Sequence, residues 1–247
     1  MQFFFKEIYS FGLRGMNYGW GTSVKDSGEI KVMDRIFSQT QKDANLIFFD
    51  VGANIGTYSK LLIETSKDRN YKIYAFEPSL RTFNTLSQNI KNPKCILNNF
   101  GFSNENNEVN LYTNEDLSGL ASVYQRNLDF IDIKMDKIEK ISVKKMDDYC
   151  IENNISEITF LKIDVEGNEL SVLNGAKKLL SENKIKYIQF EFGGCNIDSR
   201  TYFKDFYDLL NEKYKVYRIL RDGLFHIEKY SENLEIFVTS NFFAELK

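Results

Sequence analysis

Histidine is almost missing from this chain of 247 residues: His226 stands alone, beside three cysteines, two prolines and one tryptophan. One imidazole and three widely spaced thiols (Cys95, Cys150, Cys195) make no ligand set at zinc spacing, so no metal site is assigned. The same cysteines make no disulfide framework and fit a reducing compartment. Long hydrophobic runs are absent as well, and none approaches the ~20 apolar residues that a membrane span requires. The opening Met1-Gln-Phe-Phe-Phe-Lys6 has too short an apolar run for a signal segment and no basic start. The expectation is a soluble, cytoplasmic protein with no membrane span. Charge of one sign is not in excess either: 32 basic and 35 acidic residues, mixed along the chain, give a net charge of -3. Without a basic footprint, nucleic-acid binding is disfavoured. Internal repeats and low-complexity tracts are not visible.

What the chain does have is apolar mass, 43% hydrophobic and 15% aromatic, enough for one sizeable core and one large domain. Its organising stretch is Leu46-Ile-Phe-Phe-Asp-Val-Gly-Ala-Asn-Ile-Gly56. Four consecutive apolar residues, Leu46 to Phe49, read as a buried parallel strand. A glycine turn follows, and Tyr58, Leu61, Leu62 and Thr65 recur at helical spacing. Strand, glycine turn and helix open a nucleotide-binding α/β sheet, whose ligand sits beyond the carboxyl ends of the strands. Gly52 and Gly56 would let the backbone approach that ligand closely.

A pyrophosphate is a poor fit. The second glycine of G-x-G-x-x-G is replaced by Asn54, and Asp50 puts a negative charge at the strand end. This disfavours an NAD-linked oxidoreductase and suits a ligand with a cationic amine and a neutral adenosine, such as S-adenosylmethionine (SAM). The next strand, Tyr71-Lys-Ile-Tyr-Ala-Phe-Glu77-Pro78, ends on an acid placed to accept both ribose hydroxyls. The loop around Phe102 and Ser103 lies on the same rim. Phe102 can stack on adenine and Ser103 can bond to its edge, although a packed Phe reads as well.

Asp50-Val-Gly-Ala-Asn-Ile-Gly56, Phe76-Glu-Pro78 and Leu161-Lys-Ile-Asp-Val-Glu-Gly167 together resemble the FkbM family of SAM-dependent methyltransferases. The resemblance runs from about Asn45 to Asn241. It implies a Rossmann-like class I methyltransferase fold: seven mostly parallel strands, the last antiparallel, with helices on both faces. The strand–helix order agrees, with strands expected at Tyr214 to Leu220 and Leu234 to Thr239 and a loop from Arg221 to His226. Residues 41–247 then form the methyltransferase domain, with an insertion at about 104–145. Residues 1–40 form an arm or lid, and the glycines among its aromatics (Gly12, Gly15, Gly19, Gly21) favour irregular backbone over most of it. Packing on the sheet edge, closing over the site and contacting a second copy in a homodimer are its three possible uses.

Three acids mark the far part of the rim: Asp164, Glu166 and Glu191. Asp164 and Glu166 share a face if the strand persists, and Lys162 on that face can pair with either. Together they suit base work, contacts to an acceptor, or oxygen ligation of a hard cation. The resemblance implies the first two, with no metal assigned. His226 is a further base candidate, titrating near neutrality. Family members are similar in carrying a small-polar serine loop in the insertion, which makes Ser118, Ser122 and Arg126 candidate acceptor contacts. The resemblance implies O-methylation of a sugar or nucleotide-sugar hydroxyl in polysaccharide assembly. An N-methyltransferase or a small-molecule O-methyltransferase on the same fold stays open.

Overall fold

A computed structural model describes residues 1–19 and 27–247. In chain order the first helices are α1 (Gln2–Gly15) and α2 (Glu29–Gln39). Then come β1 (Asn45–Val51), α3 (Thr57–Ser66), β2 (Asn70–Phe76), α4 (Leu80–Asn89) and β3 (Cys95–Asn98). The middle of the chain holds β4 (Gly101–Phe102), β5 (Asn107–Thr113), β6 (Lys137–Lys144) and α5 (Met146–Glu152). The second half runs β7 (Ile158–Ile163), α6 (Glu169–Asn174), α7 (Lys177–Ser181), β8 (Ile185–Phe192), α8 (Cys195–Ser199) and α9 (Phe203–Leu210). It closes with β9 (Tyr214–Leu220), β10 (Gly223–His226) and β11 (Ser240–Leu246).

The main sheet has the order β10-β9-β11-β8-β7-β1-β2-β3. Strands β3, β2, β1, β7 and β8 pair in parallel, and β11 runs antiparallel between β8 and β9. Leu46 to Phe49 lie at the centre, where side chains alternate between two buried faces. Phe48 packs with Val32, Met33 and Ile36 of α2 and with Tyr58 and Leu62 of α3. Phe49 packs on the other face with Phe76, Phe102 and Tyr149.

Three expectations need correction. The sheet has eight strands because Gly223–His226, read as loop, folds back on β9 through the two-residue turn Arg221-Asp222, with Gly223 opposite Leu220. The last strand is Ser240–Leu246, one step later than expected. Leu234, ending a short 3-10 helix, and Phe237, outside any strand, instead pack on the core, so apolar content alone did not mark the strand. The leader is helical over residues 2–15, because Gly12 costs only about 1 kcal/mol against good helix formers and Gly15 falls at the helix end. Trp20 and Gly21, counted with the irregular leader, lie outside the described residues. The 104–145 segment supplies β5 and β6, which with β4 form a separate three-stranded sheet beside the carboxyl ends of the main one.

Candidate active site

A cavity of about 460 Å³ opens over the carboxyl ends of β1, β2, β7 and β8, a size usual for small-molecule sites. One end is built on Glu77. Its Oε2 accepts the Asn54 backbone N–H at 3.0 Å and its Oε1 accepts the Ser79 N–H at 2.9 Å. Asn54 holds a left-handed φ of 48°, which aims its amide at Glu77. Burial pushes Glu77 up to about 7, against the two N–H groups that favour its charged form. Gly52, Asn54 and Glu77 all line the cavity.

The other end is acidic: Asp164, Glu166 and Glu191 line it. Strand β7 stops at Ile163, and residues 164–167 form a turn in which Glu166 takes a left-handed φ of 53°. Glu169, fully buried, accepts the N–H groups of Val165 and Gly167 and so fixes this turn. Its own pKa is pushed up to about 7 by burial. The carboxylate of Glu166 bonds to Arg126 Nη1 at 2.7 Å, and its carbonyl accepts Ser122 Oγ at 2.6 Å. Burial and the nearby Asp164 raise Glu166, while Arg126 opposes them. Glu191 is raised well above the usual carboxylate range, first by burial and then by Asp164, Glu166 and Glu169. Between the two ends the small sheet contributes an apolar wall of Leu111, Ile141 and Val143.

Beneath the cavity lies a buried charge cluster. Lys162 Nζ bonds to Asp164 Oδ2 at 3.1 Å and stands 3.9 Å from Asp50 Oδ1. Burial alone would lower Lys162, but Asp164, Asp50 and Glu29 outweigh it and hold its pKa raised. Asp50 is fully buried, accepts Ser59 Oγ at 2.6 Å, and does not line the cavity.

Several candidates therefore sit elsewhere than expected. Asp50 belongs to the support beneath the cavity. Gly56 faces α4, where a Cβ would meet Leu86 and Ile90 at 2.9 Å, and a Cβ on Gly52 would meet the Asp164 carbonyl oxygen at 1.8 Å. Both glycines permit close packing within the protein, which sequence could not tell from close approach to a ligand. Phe102 borders the cavity, but its ring is committed to the core, 4.5 Å from Phe76 and 5.7 Å from Tyr149. Ser103 lies outside the cavity, its hydroxyl on Asn104. Ser122 is fully buried under Glu166, whereas Ser118 and Arg126 do reach the cavity wall. His226 is exposed on edge strand β10 against Tyr217, away from the cavity, because the expected loop is a hairpin strand. The sequence reading missed Asn168, Cys195 and Thr239, all on the wall, and the helper Glu169. Asn168 and Glu169 directly follow the Asp164–Gly167 turn, which was the available signal.

Glu166, Glu191 and Cys195 bring one ligand atom each within 4.8 Å of one another. Burial, with Glu169, Glu191 and Glu166 around it, raises the Cys195 thiol, so the trio offers two carboxylates and a protonated sulfur. That is a mismatched set for either a hard or a soft cation.

Five parallel strands with helices between them, an antiparallel strand inserted beside β9 and a cavity over the carboxyl ends define a Rossmann-like fold of the class I methyltransferase type. The Methyltransferase FkbM domain model matches residues 50–219, more than half of the chain. The chain belongs to the FkbM methyltransferase family. It is similar to 2-O-methyltransferase NoeI of Sinorhizobium fredii (strain NBRC 101917 / NGR234), 22% identical over 176 residues, 67% of this chain and 71% of that protein. Among solved structures it resembles the methyltransferase FkbM of Methylobacillus flagellatus KT, with a TM-score of 0.49 and 18% identity. That match covers 83% of this chain, which spans 45% of the other. Another likeness is the precorrin-6y C5,15-methyltransferase of Geobacter metallireducens GS-15, with a TM-score of 0.43 and 11% identity over 92% of this chain and 94% of that one. Among the described residues no helix is long and apolar enough to cross a membrane.

Proposed function

We propose that the protein transfers a methyl group from SAM to a sugar hydroxyl, on a nucleotide-linked or glycan sugar of surface polysaccharide assembly. The observation that carries this reading is the cavity itself, which joins Glu77, presented by two backbone N–H groups, to the three acids at the tips of β7 and β8. Glu77 keeps lone pairs free for two ribose hydroxyls. Gly52 and Asn54 flank the amino-acid end of SAM, and the wall of Leu111, Ile141 and Val143 takes the adenine. SAM supplies an activated methyl on a neutral leaving group, so the protein's task is alignment and removal of the hydroxyl proton.

A sugar hydroxyl needs a base. Glu191 fills that role: it lines the cavity, its proton affinity is raised, and no described side chain donates a hydrogen bond to it. Asp164, held by Lys162, and Glu166, held by Arg126, then accept neighbouring acceptor hydroxyls and fix the sugar. The name of the NoeI relative, a 2-O-methyltransferase, supports a hydroxyl acceptor. The test is mass spectrometry of a panel of nucleotide sugars and oligosaccharides incubated with SAM. Gain of one methyl on a sugar is expected, lost with Glu191→Gln. Gain only on phenols or amines would overturn the acceptor class.

A further inference from the structure

Helix α1 has none of its residues buried. Phe4, Ile8 and Phe11 follow the i, i+4, i+7 stripe with Phe5 and Tyr9 beside it, and they are 61%, 49%, 77%, 53% and 61% exposed, in that order. Lys6, Ser10 and Arg14 run along the opposite side. Only Ser10, Gly12 and Leu13 of the helix are partly buried, so the body meets α1 near its carboxyl end and leaves the aromatic side chains, with Phe3 on the opposite side, in solvent. An ordinary surface helix covers its apolar stripe, whereas this one is left open, and a contiguous exposed apolar stripe marks an interaction site.

Two occupants compete, a second copy and a lipid surface. A helix of 14 residues is about 21 Å long. Five side chains along it fall short of the ~800 Å² per partner typical of a stable interface. A bilayer needs only the apolar arc to sink about 5–10 Å into the headgroup boundary, with cations on the other side of the helix. Lys6 and Arg14 against the single Glu7 give α1 a basic polar side, complementary to anionic headgroups. The end of the helix is tied down. The Arg218 guanidinium lies 4.0 Å over the Tyr18 ring, and the Gly19 N–H donates to the Thr239 carbonyl at 3.0 Å. Thr239 is also on the cavity wall, so the segment that follows α1 is anchored at the rim of the cleft.

We propose that α1 docks the protein on the surface of an anionic phospholipid bilayer, with Phe4, Phe5, Ile8, Tyr9 and Phe11 inserted at the interface. The cleft is thereby held beside that surface. The experiment is sedimentation of the whole chain with vesicles of phosphatidylcholine and phosphatidylglycerol in equal parts, and with vesicles of phosphatidylcholine alone. Binding to the anionic vesicles is expected, weakened by about tenfold or more in a Phe4→Ser, Phe5→Ser, Phe11→Ser triple variant. Lys6→Glu with Arg14→Glu is expected to abolish the preference for anionic vesicles. An unchanged thermal midpoint shows that both variants are folded, since every replaced side chain is exposed. Wild-type protein left in the supernatant with both vesicles overturns the proposal. So does a triple variant that binds as well as the wild type, or one that instead breaks a concentration-dependent dimer.

Discussion

At the scale of single residues, the ribose contact proposed for Glu77 sets charge against burial. A ribose hydroxyl donates only to a carboxylate with a free lone pair, yet burial holds Glu77 near 7. Ligand binding that requires the anion must release a proton wherever Glu77 begins protonated. The affinity of S-adenosylhomocysteine is therefore expected to rise as pH rises through about 7, then level off. Calorimetry in buffers of different ionisation enthalpy reads the proton release directly, and pH-independent affinity would remove Glu77 from the ribose. Glu77→Gln keeps the shape but turns one acceptor into a donor, and is expected to weaken binding by about 1–3 kcal/mol. At the other end, Glu191→Gln is expected to lower kcat by about 10²–10⁴ while KM moves little, the signature of a lost base. An equal loss with Glu166→Gln and none with Glu191→Gln would transfer the role to Glu166. Beneath them, Lys162→Met leaves Asp50 and Asp164 facing each other without a cation. Loss of a buried ionic partner costs about 3–5 kcal/mol, measurable as a lower urea midpoint.

At the scale of elements, the close approach of β1 to the turn after β7 sets the cavity's floor. The Gly52 Cβ position falls 1.8 Å from the Asp164 carbonyl oxygen, and backbone cannot yield as a side-chain end does. Gly52→Ala is expected to destabilise the fold and displace Asp164 together, seen as a lowered thermal midpoint and lost turnover even at saturating SAM. Full activity in that variant would mean that β1 and the turn tolerate separation. Much of this level was legible beforehand. The run Leu46–Phe49 and the acid ending β2 were placed correctly because continuous apolar residues and strand-end acids have few alternative placements, whereas the strand that would have put Asp164 and Glu166 on one face ends at Ile163. The direction of individual side chains was not legible. Asp50 near the end of β1 and Asn54 in the turn after it are only four residues apart, yet one side chain is buried against Ser59 and Lys162 and the other reaches the cavity. Phe102 and Ser103 failed for a related reason: an aromatic beside a ligand and one in the core have the same sequence. Ser122 and Arg126 were singled out for the acceptor but bond to Glu166, a distinction of a few ångströms that spacing does not carry. His226 was lost when its loop became a strand.

At the scale of the whole molecule, the site concentrates raised carboxylates, and this sets how stability responds to pH. Glu77 and Glu169 are pushed up to about 7, and Glu29, Asp50, Glu166 and Glu191 are raised too, in every case first by burial. A carboxyl group whose folded pKa exceeds its unfolded one favours the folded state while protonated. That stability is complete below the usual carboxylate range and is lost as pH rises through the folded value. Lys162, also raised, loses its contribution only at far higher pH, outside this window. The thermal midpoint of the free protein is thus expected to fall between about pH 5 and pH 8, the reverse of a fold held by surface ion pairs. A shift from the ordinary value to about 7 in one buried carboxyl is worth on the order of 3 kcal/mol. For a chain of this size each kcal/mol moves the midpoint by about 2–4 °C, so the fall should amount to several degrees. Saturating S-adenosylhomocysteine should shrink it, because a ligand that requires the Glu77 anion contributes most where that anion is already formed. A midpoint that climbs across the same range, with or without ligand, would show that the acids of the cleft are solvated and charged, and that the cavity is wetter than its walls imply.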